Sequence, residues 1–193
     1  MTRPLILLGC LLALAACSED ETAVLPPPVT MTEEALGHFC QMNLTEHPGP
    51  KAQVHLDGVL APLFFSQVRD AVAYQRMPEQ SHAIIAIYVN DMGRAESWDE
   101  PGVDNWLLAE NAHFVVGSDA VGGMAAPELV PFGDRTAALA FTAERGGTVL
   151  QLAEIPDAEV LTPVELDPDH DHGSEDDDDF EDRLRGLSRS RES

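Results

Sequence analysis

Cys40 stands in the run His38-Phe39-Cys40-Gln41-Met42, a thiol two residues from a thioether and two from an imidazole. Side chains separated by one intervening residue share a face in extended chain but fall on nearly opposite faces of a helix, so Cys40 and Met42 can converge on one atom only in a strand or a loop. Gly37 before them, and Asn43 with Pro48-Gly49-Pro50 after, argue against a helix. Thiolate with thioether is a soft pair, suited to Cu(I) and poorly suited to Mg, Ca or Mn. Zinc takes thiolate, imidazole and carboxylate, and thioether is not among its usual ligands. The bland alternative is a buried cysteine and methionine that simply pack, since both are good core residues. Against it stands Met124 in Gly122-Gly123-Met124-Ala125-Ala126-Pro127, a large apolar side chain on a glycine loop. Such a methionine either plugs a core or, as a flexible thioether lid over Cys40 and Met42, completes a three-coordinate Cu(I) site. His38 could lend an imidazole, though a histidine beside a loop is more often a surface residue.

The other two cysteines tell where this chemistry takes place. Arg3 precedes the apolar stretch Leu5–Leu14, which contains Cys10. That stretch falls well short of the roughly 20 apolar residues a membrane span needs, so it is a signal peptide and not a retained anchor. Leu14-Ala15-Ala16-Cys17 resembles a bacterial lipobox cut before the cysteine, which makes Cys17 the expected lipidation site. A multiply acylated cysteine supplies the two chains that stable anchoring requires. The protein is then expected in the periplasm, lipid-anchored to a membrane and facing an oxidising compartment, with Cys40 the one thiol left. The formal net charge of −23, with 34 Asp and Glu against 11 Lys and Arg, excludes nucleic acid as a partner, because phosphate contacts need a basic face.

Composition divides the chain into a signal peptide (1–16), a tether (17–36) that includes Pro26-Pro27-Pro28, a folded region, and an acidic tail (164–193) too polar to fold. His170-Asp171-His172 in that tail could hold a divalent metal weakly, yet acidic runs usually only solvate. The folded region carries a weak internal repeat: Phe65 to Tyr74 aligns without gaps on Phe132 to Phe141, with Phe65/Phe132 and two alanines identical and Val72/Leu139 alike in kind. Each segment predicts a helix with Ser66 or Gly133 near its N-cap, followed by a β-rich run at 83–89 or 148–152. Upstream strands are expected at Gln53–Leu56 with Val59-Leu60, and at His113–Gly117 with Glu128–Val130. The fold class is therefore α+β, with two related β-β-α-β modules at 37–90 and 106–163 joined by a turn-rich linker, 91–105. Met92 is expected in the core, and Trp98 and Trp106 over the seam between modules.

Leu14-Ala15-Ala16-Cys17, His38-Phe39-Cys40-Gln41-Met42, Gly49-Pro50-Lys51-Ala52-Gln53, Tyr88-Val89-Asn90-Asp91-Met92, Asn105-Trp106, Gly122-Gly123-Met124 and Val130-Pro131-Phe132 together resemble the NosL family, accessory lipoproteins of nitrous-oxide reductase. The resemblance runs from about Gly37 to Leu161. It implies a copper chaperone that binds Cu(I) and supplies it for the reductase's copper–sulfide centre, with the reductase and its maturation ABC-transporter machinery as partners. It also implies two related β-β-α-β modules with distant similarity to the organomercury lyase fold. Cys40 and Met42 match the family's Cys-x-Met pair, and Met124 its later methionine. The family commonly has glycine between the two, where this chain has Gln41. Two other classes stay open: a thiol enzyme using Cys40 with His38, which would lack a second active-site cysteine, and a docking scaffold, which leaves Cys40 unexplained.

Overall fold

The computed structural model describes residues 25–164; the apolar N-terminal segment with Cys10 and Cys17, and the acidic tail with His170 and His172, lie outside them. Apolar and polar residues alternate in Ala52-Gln53-Val54-His55-Leu56, the pattern of a strand with two unlike faces, and these residues form β1 (Ala52–Leu56). β1 pairs antiparallel with β2 (Leu63–Phe65) on one side and β3 (Ile84–Asn90) on the other. β4 (Trp106–Leu108) lies outside β3, giving the order β2-β1-β3-β4. Between β2 and β3 runs α1 (Val68–Arg76), whose Val68, Ala71, Val72 and Tyr74 pack with Ala52, Val54 and Leu56.

The second half repeats the plan. β5 (His113–Val116) is central between β6 (Val130–Phe132) and β7 (Thr148–Leu150), all antiparallel, and α2 (Arg135–Arg145) connects β6 to β7. Each half thus runs β-β-α-β with its first strand in the middle. Phe65 and Phe132 each end the strand before the helix, and the helices begin at the aligned Val68 and Arg135.

The differences from expectation are local. Val59-Leu60 is no strand: Leu60 is fully solvent-exposed after the Asp57-Gly58 turn, and Leu63–Phe65 pairs with β1 instead. The helix N-caps fall one residue later than expected, at Gln67 and Asp134. Gln151 and Leu152 leave β7 for a 3-10 turn. Trp106 belongs to the first sheet, because Asn90 and Trp106 are register partners.

The two halves share their main core, and the second half has a smaller cluster of its own around Val115, Val130 and Ala138. Phe114, Val116 and Leu129 of the second half join Val54, Phe65 and Val72 of the first in one cluster. Burying each such side chain stabilises the fold by roughly 1.5–3 kcal/mol. The chain then returns through α3 (Asp157–Leu161), which places Ile155 and Val160 in the same cluster. Arg69 fixes that return, its Nε donating to the Glu159 carbonyl at 2.9 Å and its Nη2 to that of Thr162 at 2.7 Å.

The polar face of β1 is covered by the segment read above as tether. The Gln53 side chain accepts from the Val29 amide at 2.8 Å and donates to the Val29 carbonyl at 3.0 Å. Tyr88 Oη donates to the Pro26 carbonyl at 2.7 Å, and Met31 is buried. A proline-rich extended chain has unpaired backbone groups, and a buried glutamine needs partners for both ends of its amide. From Pro26 onward this segment is therefore part of the folded body.

Candidate metal centre

Cys40 sits on a loop that closes on itself. Leu36 and Asn43 bridge antiparallel, the Gly37 amide donates to the Met42 carbonyl at 2.9 Å, and the Gln41 amide donates to the Gly37 carbonyl at 2.8 Å. The His38 amide, donating to the Phe64 carbonyl at 2.6 Å, fastens the loop to the edge of β2. A Cβ at Gly37 would stand 2.4 Å from Cys40 Sγ and displace the thiol from its present place. Gln41 takes φ 56°, in the left-handed region that favours glycine, and its side-chain amide donates to the carbonyls of His38 at 2.7 Å and Gly37 at 3.3 Å. The Cys40 thiol is half-buried and donates to Ser66 Oγ at 3.6 Å. Met42 follows at the surface, 43% exposed.

Met124 sits on a tight turn, where the Ala125 amide donates to the Gly122 carbonyl at 3.0 Å and the Gly122 amide to the Ala126 carbonyl at 2.8 Å. The flanking Val121 and Pro127 form an antiparallel bridge. Both glycines are needed for close approach. A Cβ on Gly122 would meet Glu128 Oε2 at 2.5 Å and Gln67 Oε1 at 2.7 Å, and one on Gly123 would meet His47 Cβ at 2.6 Å and the Ser66 carbonyl oxygen at 3.1 Å. The Met124 amide donates to Gln67 Oε1 at 3.2 Å.

The two loops, distant in sequence, therefore meet on one dipeptide. Ser66 carries the Cys40 thiol, Gln67 carries the Met124 backbone, and the pair forms the turn from β2 into α1. Sequence reasoning placed Ser66 near a helix cap and missed Gln67 altogether. It also missed His47, whose Nδ1 lies 3.0 Å from the Gly123 carbonyl. A carbonyl only accepts, so Nδ1 is the donor in this contact. The His47 Nε2 is buried with no partner among the described residues. His47-Pro48-Gly49 reads in sequence only as a turn, with no signal of this contact. His38 packs its ring against Phe39, Phe65 and Tyr74 at centroid distances of 5.4, 5.6 and 5.5 Å.

Beneath the turn lies Glu128, 2% exposed, and Lys51, 1% exposed. Glu128 Oε1 accepts from the amides of Arg69 at 3.0 Å and Leu129 at 2.8 Å, and Oε2 from that of Val68 at 3.3 Å. Burial pushes its carboxyl up to about 8, against the opposing pull of these three amides. Burial also lowers the Lys51 ammonium to about 8, with the negative charge of Glu128 acting the other way. Lys51 Nζ donates to the carbonyls of Gly49 at 2.6 Å and Pro48 at 3.1 Å.

The remaining residues singled out in the sequence pack. Met92 and Trp98 lie against the second half's Val130 and Phe132, and Trp98 also lies over Gly49 of the first half. Trp106 packs with Phe64 over Met31 and Leu44, away from that seam. Among the described residues, no three of His, Cys, Asp and Glu come together as a metal cluster. The Cys40 loop, the Met124 turn and the adjoining His47 carry between them a half-buried thiol, two thioethers and an imidazole, donor types that suit a soft cation.

The family model described as NosL matches residues 28–160. The chain is 56% identical over 189 residues to the copper-binding lipoprotein NosL of Achromobacter cycloclastes, covering 96% of this chain and 94% of that protein. It is 34% identical over 156 residues to the copper-binding lipoprotein NosL of Stutzerimonas stutzeri, covering 79% and 80% respectively. The crystal structure of the copper chaperone NosL from Shewanella denitrificans superposes with a TM-score of 0.64 at 30% identity, covering 69% of this chain and 99% of that one.

Proposed function

This chain belongs to the NosL family, and from that membership we propose that it is a lipid-anchored periplasmic copper chaperone. It holds Cu(I) on Cys40, Met42 and Met124 and gives it up for assembly of the copper–sulfide centre of nitrous-oxide reductase, with that enzyme and its ABC-transporter machinery as partners. Cys17 carries the lipid. The observation that supports this reading most is the convergence of the Cys40 loop and the Met124 turn on Ser66-Gln67.

A chaperone must hold copper against loss and still release it, which calls for soft ligands on an open surface. Cys40 supplies the anionic sulfur, and its Ser66 contact is a weak S–H bond that metal binding replaces. Met42 is neutral and exposed, a poorer donor that an incoming sulfur can displace. The Met124 backbone is pinned, so the mobile part of this ligand is its side chain alone.

A Cu(I) titration under reducing conditions, on wild type and Cys40→Ser, tests the reading. A tight 1:1 complex lost in Cys40→Ser with the fold intact is the expected outcome, and Met42→Ala weakens binding less than Cys40→Ser does. Wild-type affinity in Cys40→Ser would place the site elsewhere. Turnover of a thiol-reactive substrate would favour the enzyme, and neither binding nor turnover the scaffold.

A further inference from the structure

Helix α1 begins without a cap of its own. Gln67 occupies the N-cap position, but its side chain makes no capping bond. The first amides of any helix lack intrahelical partners. Here two of them, Val68 and Arg69, are met by the carboxyl of Glu128, some 60 residues away in the other half of the molecule. Glu128 also bonds its own neighbour's amide, on Leu129. Its own amide donates to the Ala120 carbonyl at 2.9 Å, closing the base of the loop whose tip is Met124. Gly122 in that loop lies flat against Glu128 and Gln67. The Glu128 carboxyl thus holds the start of α1 and packs against Gly122, while its backbone amide closes the loop that bears Met124.

From these contacts we propose that Glu128 is a positioning residue of the metal site: standing on the N-terminus of α1, it holds the Met124 turn on the same Ser66-Gln67 pair that carries Cys40. Without that carboxyl, the Met124 turn keeps its internal backbone bonds and its contacts with Gln67 and His47, but Gly122 loses the buried group it packs on, and the start of α1, from which Gln67 reaches the Met124 amide, loses its anchor. Groups that orient metal ligands in this indirect way commonly change affinity about 10–100-fold when removed. The inference rests on Met124 being a copper ligand, as proposed above.

The test is a double-mutant cycle on Cu(I) affinity, measured by competition with a Cu(I) chelator. Glu128→Ala weakens binding about tenfold, as Met124→Leu does, and the double variant Glu128→Ala/Met124→Leu is no weaker than Met124→Leu alone. Glu128→Gln, which keeps the Oε1 acceptor, stays within about twofold of wild type. Losses that multiply in the double variant would overturn the proposal, because Glu128 would then act without Met124. Unchanged affinity in Glu128→Ala, with Met124→Leu weakened, would overturn it while leaving the ligand set standing. Unchanged affinity in Met124→Leu would sink the ligand set itself, and this inference with it. Should Glu128→Ala fail to fold, amide hydrogen exchange on wild type decides. Val68 and Arg69, which have no helical acceptor, are protected together with Met124 if Glu128 holds the turn, and free exchange at these amides would overturn the proposal.

Discussion

At residue 41 the family pattern and this chain part company, and the backbone angle supplies the reason. A φ of 56° suits glycine, and a side chain there costs roughly 1–2 kcal/mol. Gln41 offsets part of that cost with two side-chain bonds, to the carbonyls of His38 and Gly37. Each contributes about 0.5–1.5 kcal/mol, at the low end for an exposed site. The terms nearly cancel, so Gln41→Gly leaves stability within about 1 kcal/mol of wild type. Gln41→Val loses the bonds and places a β-branched residue at positive φ, and it destabilises by about 2 kcal/mol. Urea unfolding midpoints check both. Equal stability in the two variants would mean that the loop relaxes to another conformation.

Among the elements, the two related helices have unequal loads. α1 lies between the first sheet and α3, and Val72 at its centre is fully buried. α2 covers the second sheet from one side only, burying Ala138 alone, so the aligned Leu139 is 44% exposed. The internal repeat equates these positions, and burial separates them. Val72→Ala costs about 2 kcal/mol, from roughly 0.8 kcal/mol per buried methylene plus a cavity. Leu139→Ala removes more carbon yet costs under about 1 kcal/mol, because most of that surface is already wet. Thermal or urea unfolding of both variants checks the order, and a larger loss for Leu139→Ala would show α2 packed on both sides.

For the molecule as a whole, the buried Glu128 and Lys51 make stability depend on pH. An unfolded Glu ionises near 4.5, while in the fold Glu128 keeps its proton up to about 8, so the native state binds more protons between these values. Stability therefore falls as pH rises across that window. Asp70, whose carboxyl burial also raises, adds to the fall, and His55, whose burial lowers its imidazole, opposes it below 6.5. Lys51 acts above 8: the unfolded ammonium holds its proton to about 10.5 and the folded one only to about 8, so stability recovers over that range. Unfolding free energy is expected to pass through a minimum near pH 8. Glu128→Gln flattens the descending arm between pH 6.5 and 8, and Lys51→Met the ascending one. A wild-type curve parallel to that of Glu128→Gln over pH 6.5–8 would mean that Glu128 is already ionised in the fold.

The loops that carry Cys40 and Met124 and the order of the elements were legible in the sequence, because both depend on neighbours along the chain. Alternation marked β1, the repeat marked two β-β-α-β units, and the glycines around Cys40 and Met124 marked two loops. Boundaries such as Leu63–Phe65 over Val59-Leu60 were decided by which residues found a partner on β1, a choice made across the sheet. The docking of Pro26 to Met31 depended on partners far along the chain, Gln53, which needed both a donor and an acceptor, and Tyr88, which bonds the Pro26 carbonyl. What joins the two loops was not legible at all. Ser66, Gln67, His47 and Glu128 act at sequence separations of 26, 57, 76 and 60 residues. Their roles follow from desolvation, since a carboxyl or an amide shut away from water must find partners wherever the fold brings them, and no local pattern records where that is.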